Sequence, residues 1–121
     1  MLKKVAFTMF PVEHATRARA FYEQTLGLKR GSHSENGTWT EYDLPGGGCL
    51  ALFGGPGANA SAAGGASIAF EVEDLDALNT RLKESGVRYD SDMVHSPGCR
   101  MSIIRDTEGN SIILHQLKNR A

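Results

Sequence analysis

The chain repeats one pattern at an interval of about 60 residues. The first occurrence runs from Val5-Ala6-Phe7-Thr8-Met9-Phe10-Pro11-Val12-Glu13-His14 into a helical stretch that ends Leu26-Gly27-Leu28. The second runs from Ser67-Ile68-Ala69-Phe70-Glu71-Val72-Glu73-Asp74 into one that ends Ser85-Gly86-Val87. Val12-Glu13-His14 aligns with Val72-Glu73-Asp74, and Gly27 falls within a residue of Gly86. A unit of this size rarely buries its apolar face alone. The repeat therefore predicts two modules that face each other across a shared cleft, the natural place for a ligand.

Within each copy the same elements follow in order. Ala18, Phe21, Tyr22, Thr25 and Leu26 recur at helical spacing and predict one amphipathic face, closed by Gly27 with Leu28 as its apolar contact. Asp74 is a good N-cap for the second helix, whose stripe is Leu75, Leu78 and Leu82; His14 is a poorer cap for the first. Three strands follow each helix, at about 29–35, 38–44 and 48–53 and again at about 88–93, 99–105 and 111–116. Asn36-Gly37 and Pro45-Gly46-Gly47 mark turns in the first copy, Ser96-Pro97-Gly98 and Thr107-Glu108-Gly109-Asn110 in the second. The reading is α+β: two tandem βαβββ modules forming a curved open sheet, a half-barrel around the cleft, with helices outside. A single domain spans 1–121, with modules at about 1–53 and 66–117. The intervening 54–65 is almost entirely Gly, Ala, Ser, Asn and Pro, a flexible connector.

A chain of 121 residues fits one compact domain. Thirteen basic against fourteen acidic side chains leave no field to draw nucleic acid or an anionic membrane. No apolar run reaches transmembrane length, and the opening Met1-Leu2-Lys3-Lys4 leads into a first strand rather than a cleavable leader. Cys49 and Cys99 lie far apart among core-type residues, which suits free thiols and a soluble cytoplasmic protein.

The duplicated unit resembles the vicinal oxygen chelate superfamily, which includes glyoxalase I, bleomycin-resistance proteins, fosfomycin-resistance enzymes and extradiol dioxygenases. The resemblance rests on Pro11-Val12, Arg17-Ala18-Arg19-Ala20-Phe21-Tyr22 and Leu26-Gly27-Leu28 in the first half. In the second half it rests on Val72-Glu73-Asp74-Leu75-Asp76-Ala77-Leu78, Gly86-Val87 and Asp106-Thr107-Glu108-Gly109-Asn110. It implies a homodimer. In metal-using members it implies four His, Glu or Gln ligands, one from the first and one from the last strand of each copy. Carried onto this chain, those positions fall on Phe7, Ala51, Ser67 and Ile113. Phe, Ala and Ile have no metal-binding atom, and a neutral Ser hydroxyl is a poor ligand. The reading is no metal and no other cofactor.

Strand alternation then defines the rest of the cleft wall. Val5 and Met9 share a face with Phe7, Cys49 and Phe53 with Ala51, and Ser111 and His115 with Ile113. In the segment 38–44, Tyr42 and Leu44 suit a helix-packed face, which leaves Trp39 and Glu41 for the cleft, where they suit a flat or cationic ligand. Expected ligand contacts are therefore Phe7, Met9, Trp39, Glu41, Ala51, Phe53, Ser67, Ile113 and His115. Glu41 and His115 are the candidates for acid–base work, as a couple whose pKa values burial and mutual charge would shift. His33 is expected in solvent, His95 in a loop, and Arg100 solvated on an edge strand. The function expected is metal-independent binding of a small, partly apolar organic molecule, as in bleomycin-resistance proteins. The alternatives are a lyase, isomerase or dioxygenase-type enzyme using Glu41 and His115, directly or as a displaced metal site, and a purely structural or interaction module.

Overall fold

A computed structural model of the chain describes residue 1, residues 5–55 and residues 67–118. The expected connector at 54–65 lies outside the described residues except for Gly54 and Gly55. The chain divides into two compact units, Met1–Ala60 and Ser61–Ala121.

In the first unit the order is β1 (Thr8–Pro11), α1 (Ala15–Ala20), a π-helical turn (Phe21–Thr25), β2 (Arg30–His33), β3 (Trp39–Asp43) and β4 (Cys49–Phe53). The sheet order is β1-β4-β3-β2, with β1 parallel to β4 and the other neighbours antiparallel. In the second unit the order is β5 (Ile68–Glu71), α2 (Leu75–Glu84), β6 (Arg88–His95), β7 (Cys99–Arg105) and β8 (Ser111–Leu117). Its sheet order, β5-β8-β7-β6, is the first sheet's order translated by one copy. Each unit is thus a four-stranded mixed, open sheet with its helical segment, the βαβββ arrangement expected.

Each helix buries one sheet face. In the first unit Phe10, Thr40, Tyr42, Leu50 and Leu52 are buried with Ala18, Phe21 and Tyr22. In the second, Ser102, Ile104, Ile112 and Leu114 are buried with Leu75, Asn79 and Leu82. The two helices end alike. Gly27 and Gly86 have φ of 78° and 79°, and the N–H of Leu28 and of Val87 donates back to Tyr22 and Leu82. That wrap needs a left-handed residue, which Gly supplies without a Cβ clash. The starts differ as expected: Asp74 Oδ1 accepts from the Ala77 N–H at 3.0 Å, while the His14 side chain makes no capping bond.

Three expectations change. The first helix is not α throughout: the Leu26 N–H reaches the Phe21 carbonyl five residues back, at 3.0 Å. This wider turn leaves Thr25 and Leu26 only half-buried, outside the stripe assigned to them. Arg100 is not on an edge. β7 lies between β8 and β6, and the guanidinium makes a bidentate pair with Asp76 of α2 at 3.1 and 2.8 Å and also meets Gln116. That pair holds the Asp76 carboxyl below its usual range. Likewise His95 closes strand β6 rather than sitting in a loop, opposite Arg100. His33 is exposed, with Nδ1 2.9 Å from Thr40 Oγ1. Among the described residues no helix is long and apolar enough to cross a membrane.

Candidate functional site: two helix-free sheet faces

A strand side chain that does not point at the helix points away from it, and in the first unit that second face is unusually apolar. Register sets it. Met9 on β1 and Glu41 on β3 flank Ala51 on β4, and Pro11 and Trp39 flank Phe53 in the same way. Phe7, just before β1, stands edge-on to Trp39 with ring centroids 5.2 Å apart and planes at 89°. Phe53 lies 6.4 Å from Trp39 on its other side, tilted by 55°. Phe7 and Met9 remain 45% and 44% exposed, although both are large and apolar. Two large apolar side chains left exposed on one face form a patch rather than scattered surface residues. Ala51 has no exposure and floors the face beneath its longer neighbours.

One polar group is built into this frame. The Trp39 indole N–H donates to Glu41 Oε2 at 2.7 Å, short enough for a charge-assisted bond. Glu41 Oε1 meets only the Cys49 thiol, whose sulfur is 3.9 Å away. Burial, then the charges of Glu41 and Asp43, push the Cys49 pKa up, which favours the thiol form. Strand β3 sorts its side chains as the alternation requires: Thr40 and Tyr42 are buried against the helix, while Trp39 and Glu41 share the opposite face.

The helix-free face of the second unit carries Ala69, Ile113 and Ile103 in one row and Glu71, His115 and Met101 in the next. His115 Nδ1 lies 2.6 Å from Glu71 Oε1, and Glu71 Oε2 accepts from the Leu117 N–H at 3.1 Å. Within the second unit the carboxylate at His115 is Glu71, and within the first unit Glu41 accepts from Trp39. When Nδ1 carries the proton, this bond fixes the ring and leaves Nε2 as the basic nitrogen. Glu71 is not among the residues expected at the site, because spacing alone does not say which residue of β5 stands beside His115. The parallel register pairs Ala69 with Ile113, which brings Glu71 beside His115. Ser67 is exposed just ahead of β5.

The four positions implied for a metal do not suit one. Phe7 packs on Trp39, Ala51 lies between Met9 and Glu41, and Ile113 lies between Ala69 and Ile103. None of the three offers a lone pair, and a single Ser hydroxyl cannot compensate. Among the described residues no group of three or more His, Cys, Asp or Glu side chains is disposed to hold an ion.

Comparison with known proteins agrees with this architecture. Residues 4–114 match the model of the Glyoxalase/Bleomycin resistance protein/Dioxygenase superfamily. Among solved structures the chain is similar to TnmS3, an antibiotic binding protein from Streptomyces sp. CB03234. That pair shares 26% identity and a TM-score of 0.79, with 97% of this chain and 98% of that one covered. A glyoxalase/bleomycin resistance protein from the same organism shares 27% identity, with 93% and 100% covered and a TM-score of 0.74. Lactoylglutathione lyase from Agrobacterium tumefaciens has the same fold at 21% identity, with 95% and 94% covered and a TM-score of 0.75. No curated protein matches the chain significantly.

Proposed function

The chain belongs to the Glyoxalase/Bleomycin resistance protein/Dioxygenase superfamily, and from that premise we propose that it binds a small, partly apolar organic molecule without a metal ion. The observation that carries this reading is the open aromatic frame of Phe7, Trp39 and Phe53 beside Met9, set over Ala51 where a metal-using relative would carry a ligand. Such a face offers flat apolar contact and an oriented carboxylate, Glu41. Ligand contacts in this unit are Phe7, Met9, Trp39, Glu41, Ala51 and Phe53. The corresponding face of the second unit, with Ile113 and His115, is proposed as a ligand-contacting surface in its own right, and Ser67 borders it. Similarity to an antibiotic binding protein supports holding a molecule over turning it over.

The test is direct because Trp39 is the one tryptophan of the chain. A flat aromatic probe such as acridine should quench Trp39 emission and raise the melting temperature with saturating dependence on concentration. Metal analysis of the purified protein should find far less than one divalent ion per chain; one tightly held ion per chain would overturn the metal-free reading.

A catalytic reading has one observation in its favour, the 2.6 Å His115–Glu71 contact, which has the form of an oriented acid–base pair for a lyase or isomerase. Unchanged turnover of a candidate substrate in His115→Ala would remove it. We also propose a cytoplasmic location, supported by the free thiols of Cys49 and Cys99, and a homodimer, supported by family membership. Light scattering should then give twice the 13.1 kDa chain mass; the mass of a single chain would refute the dimer.

A further inference from the structure

We infer that the ligand held on the first unit's helix-free face is a flat aromatic molecule bearing a positive charge, and that Glu41 with Asp43 selects that charge. The inference rests on the binding reading above and adds a sign to it.

Three observations lead there. The first is that two neighbouring carboxylates share one face with no basic side chain among the described residues paired to either. Glu23 meets Arg30, Asp76 meets Arg100, Asp90 meets Arg105 and Asp92 meets Lys83. Glu41 and Asp43 meet no Lys or Arg among the described residues, although they stand two apart on one strand and therefore on one face. Two like charges so placed repel each other, and a bound cation relieves that repulsion.

The second observation is the way Glu41 is held. Its Oε2 is pinned by the Trp39 N–H at 2.7 Å, so the side chain is fixed before any ligand arrives. Its Oε1 has only a thiol at 3.9 Å, a weak donor at long range, and retains its capacity to accept from an N⁺–H group.

The third is what surrounds that oxygen. Phe7, Trp39 and Phe53 present ring surfaces whose negative quadrupoles attract a cation, and the bond from the indole N–H to a carboxylate makes the Trp39 ring richer in electrons. Two basic side chains among the unit's described residues are engaged elsewhere: Arg30 with Glu23, and Arg19 with the Gly37 carbonyl and Thr16. The described face carries nothing that would favour an anion.

Three probes of one ring system decide the matter: 9-aminoacridine, cationic at neutral pH, acridine, and acridine-9-carboxylate. Calorimetry gives the affinities, and quenching of Trp39 places each probe at the face. The cation should bind about tenfold or more tighter than the anion at low salt, with a gap that shrinks in 0.5 M NaCl. Glu41→Gln keeps an amide oxygen for the Trp39 N–H but removes the charge, and should collapse the gap to about threefold or less; Asp43→Asn should narrow it by a smaller factor. Unchanged melting temperatures in both variants would show that the fold is intact. Equal or reversed preference, with Trp39 still quenched, would overturn the charge assignment and leave the binding reading standing. A gap that survives the double variant would overturn it too. Failure of all three probes to bind would remove both.

Discussion

Truncating Tyr42 to alanine should destabilise the first unit by about 3–5 kcal/mol, a large share of the stability of a small domain. Tyr42 has no exposed surface, and its ring stacks on Tyr22 with centroids 6.1 Å apart and planes at 28°. Removing it empties the space between β3 and the helical segment, and neighbours held by the sheet register cannot collapse into it. The loss extends to the phenol, which donates to Glu23 Oε2 at 2.8 Å. Burial, then the bond to Glu23, pushes the Tyr42 pKa far above its ordinary value, so the hydroxyl remains a donor at any working pH. Burial alone would raise the Glu23 carboxyl, but the bonds from Arg30 and Tyr42 outweigh it and hold its pKa below the ordinary carboxylate range. A carboxyl depressed in the folded state adds stability above its unfolded value, and that stability is lost as pH falls through the folded value. Tyr42→Phe, which keeps the ring, should therefore cost less than Tyr42→Ala, and its cost should shrink as the pH falls from the ordinary carboxylate range through the depressed folded value of Glu23. Urea denaturation of the three proteins at neutral and acid pH measures both effects. A Tyr42→Ala midpoint equal to that of the parent would refute the packing account, and a Tyr42→Phe cost independent of pH would refute the account of Glu23.

The sorting of β3 into a packed face and an open face was legible in the sequence, because alternation is a property of the backbone and Tyr42 and Leu44 are poor surface residues. The repeat was equally legible, and the structure repeats it down to the φ angles of Gly27 and Gly86. What escaped depended on partners that spacing cannot name. A π-helical turn over Phe21–Thr25 and an α-helix differ by less than a residue per turn, and five residues are too few for apolar periodicity to distinguish them. The place of β7 inside its sheet follows from pairing on both sides, so Arg100 could not be read as an interior residue facing Asp76. The partner of His115 depends on the register between the parallel strands β5 and β8. A shift of two residues there would leave every side chain on its own face, so the hydrophobic pattern does not single out Glu71.

Replacing Trp39 with alanine should weaken binding of 9-aminoacridine by about thirtyfold or more while leaving the denaturation midpoint close to that of the parent. The residue lies three positions before Tyr42 on the same strand, yet the physics differs because its face differs. Its ring is half-buried, not enclosed, and its contacts are with Phe7 and Phe53, which are themselves partly exposed. Truncation therefore removes contact surface rather than opening a cavity within the core. It also removes the N–H that holds Glu41 Oε2, so the carboxylate must be ordered by the ligand at the ligand's expense. Trp39→Phe separates the two contributions, since it retains an aromatic face and lacks the donor. Its affinity should fall between those of the parent and the alanine variant, and its preference for cation over anion should fall with it. Calorimetry is the appropriate measurement, because both variants lose the chain's fluorescent reporter. Full affinity in Trp39→Ala would show that the exposed aromatics of this face are not where the molecule sits. Affinity lost together with the fold would show that β3 has no free face at all.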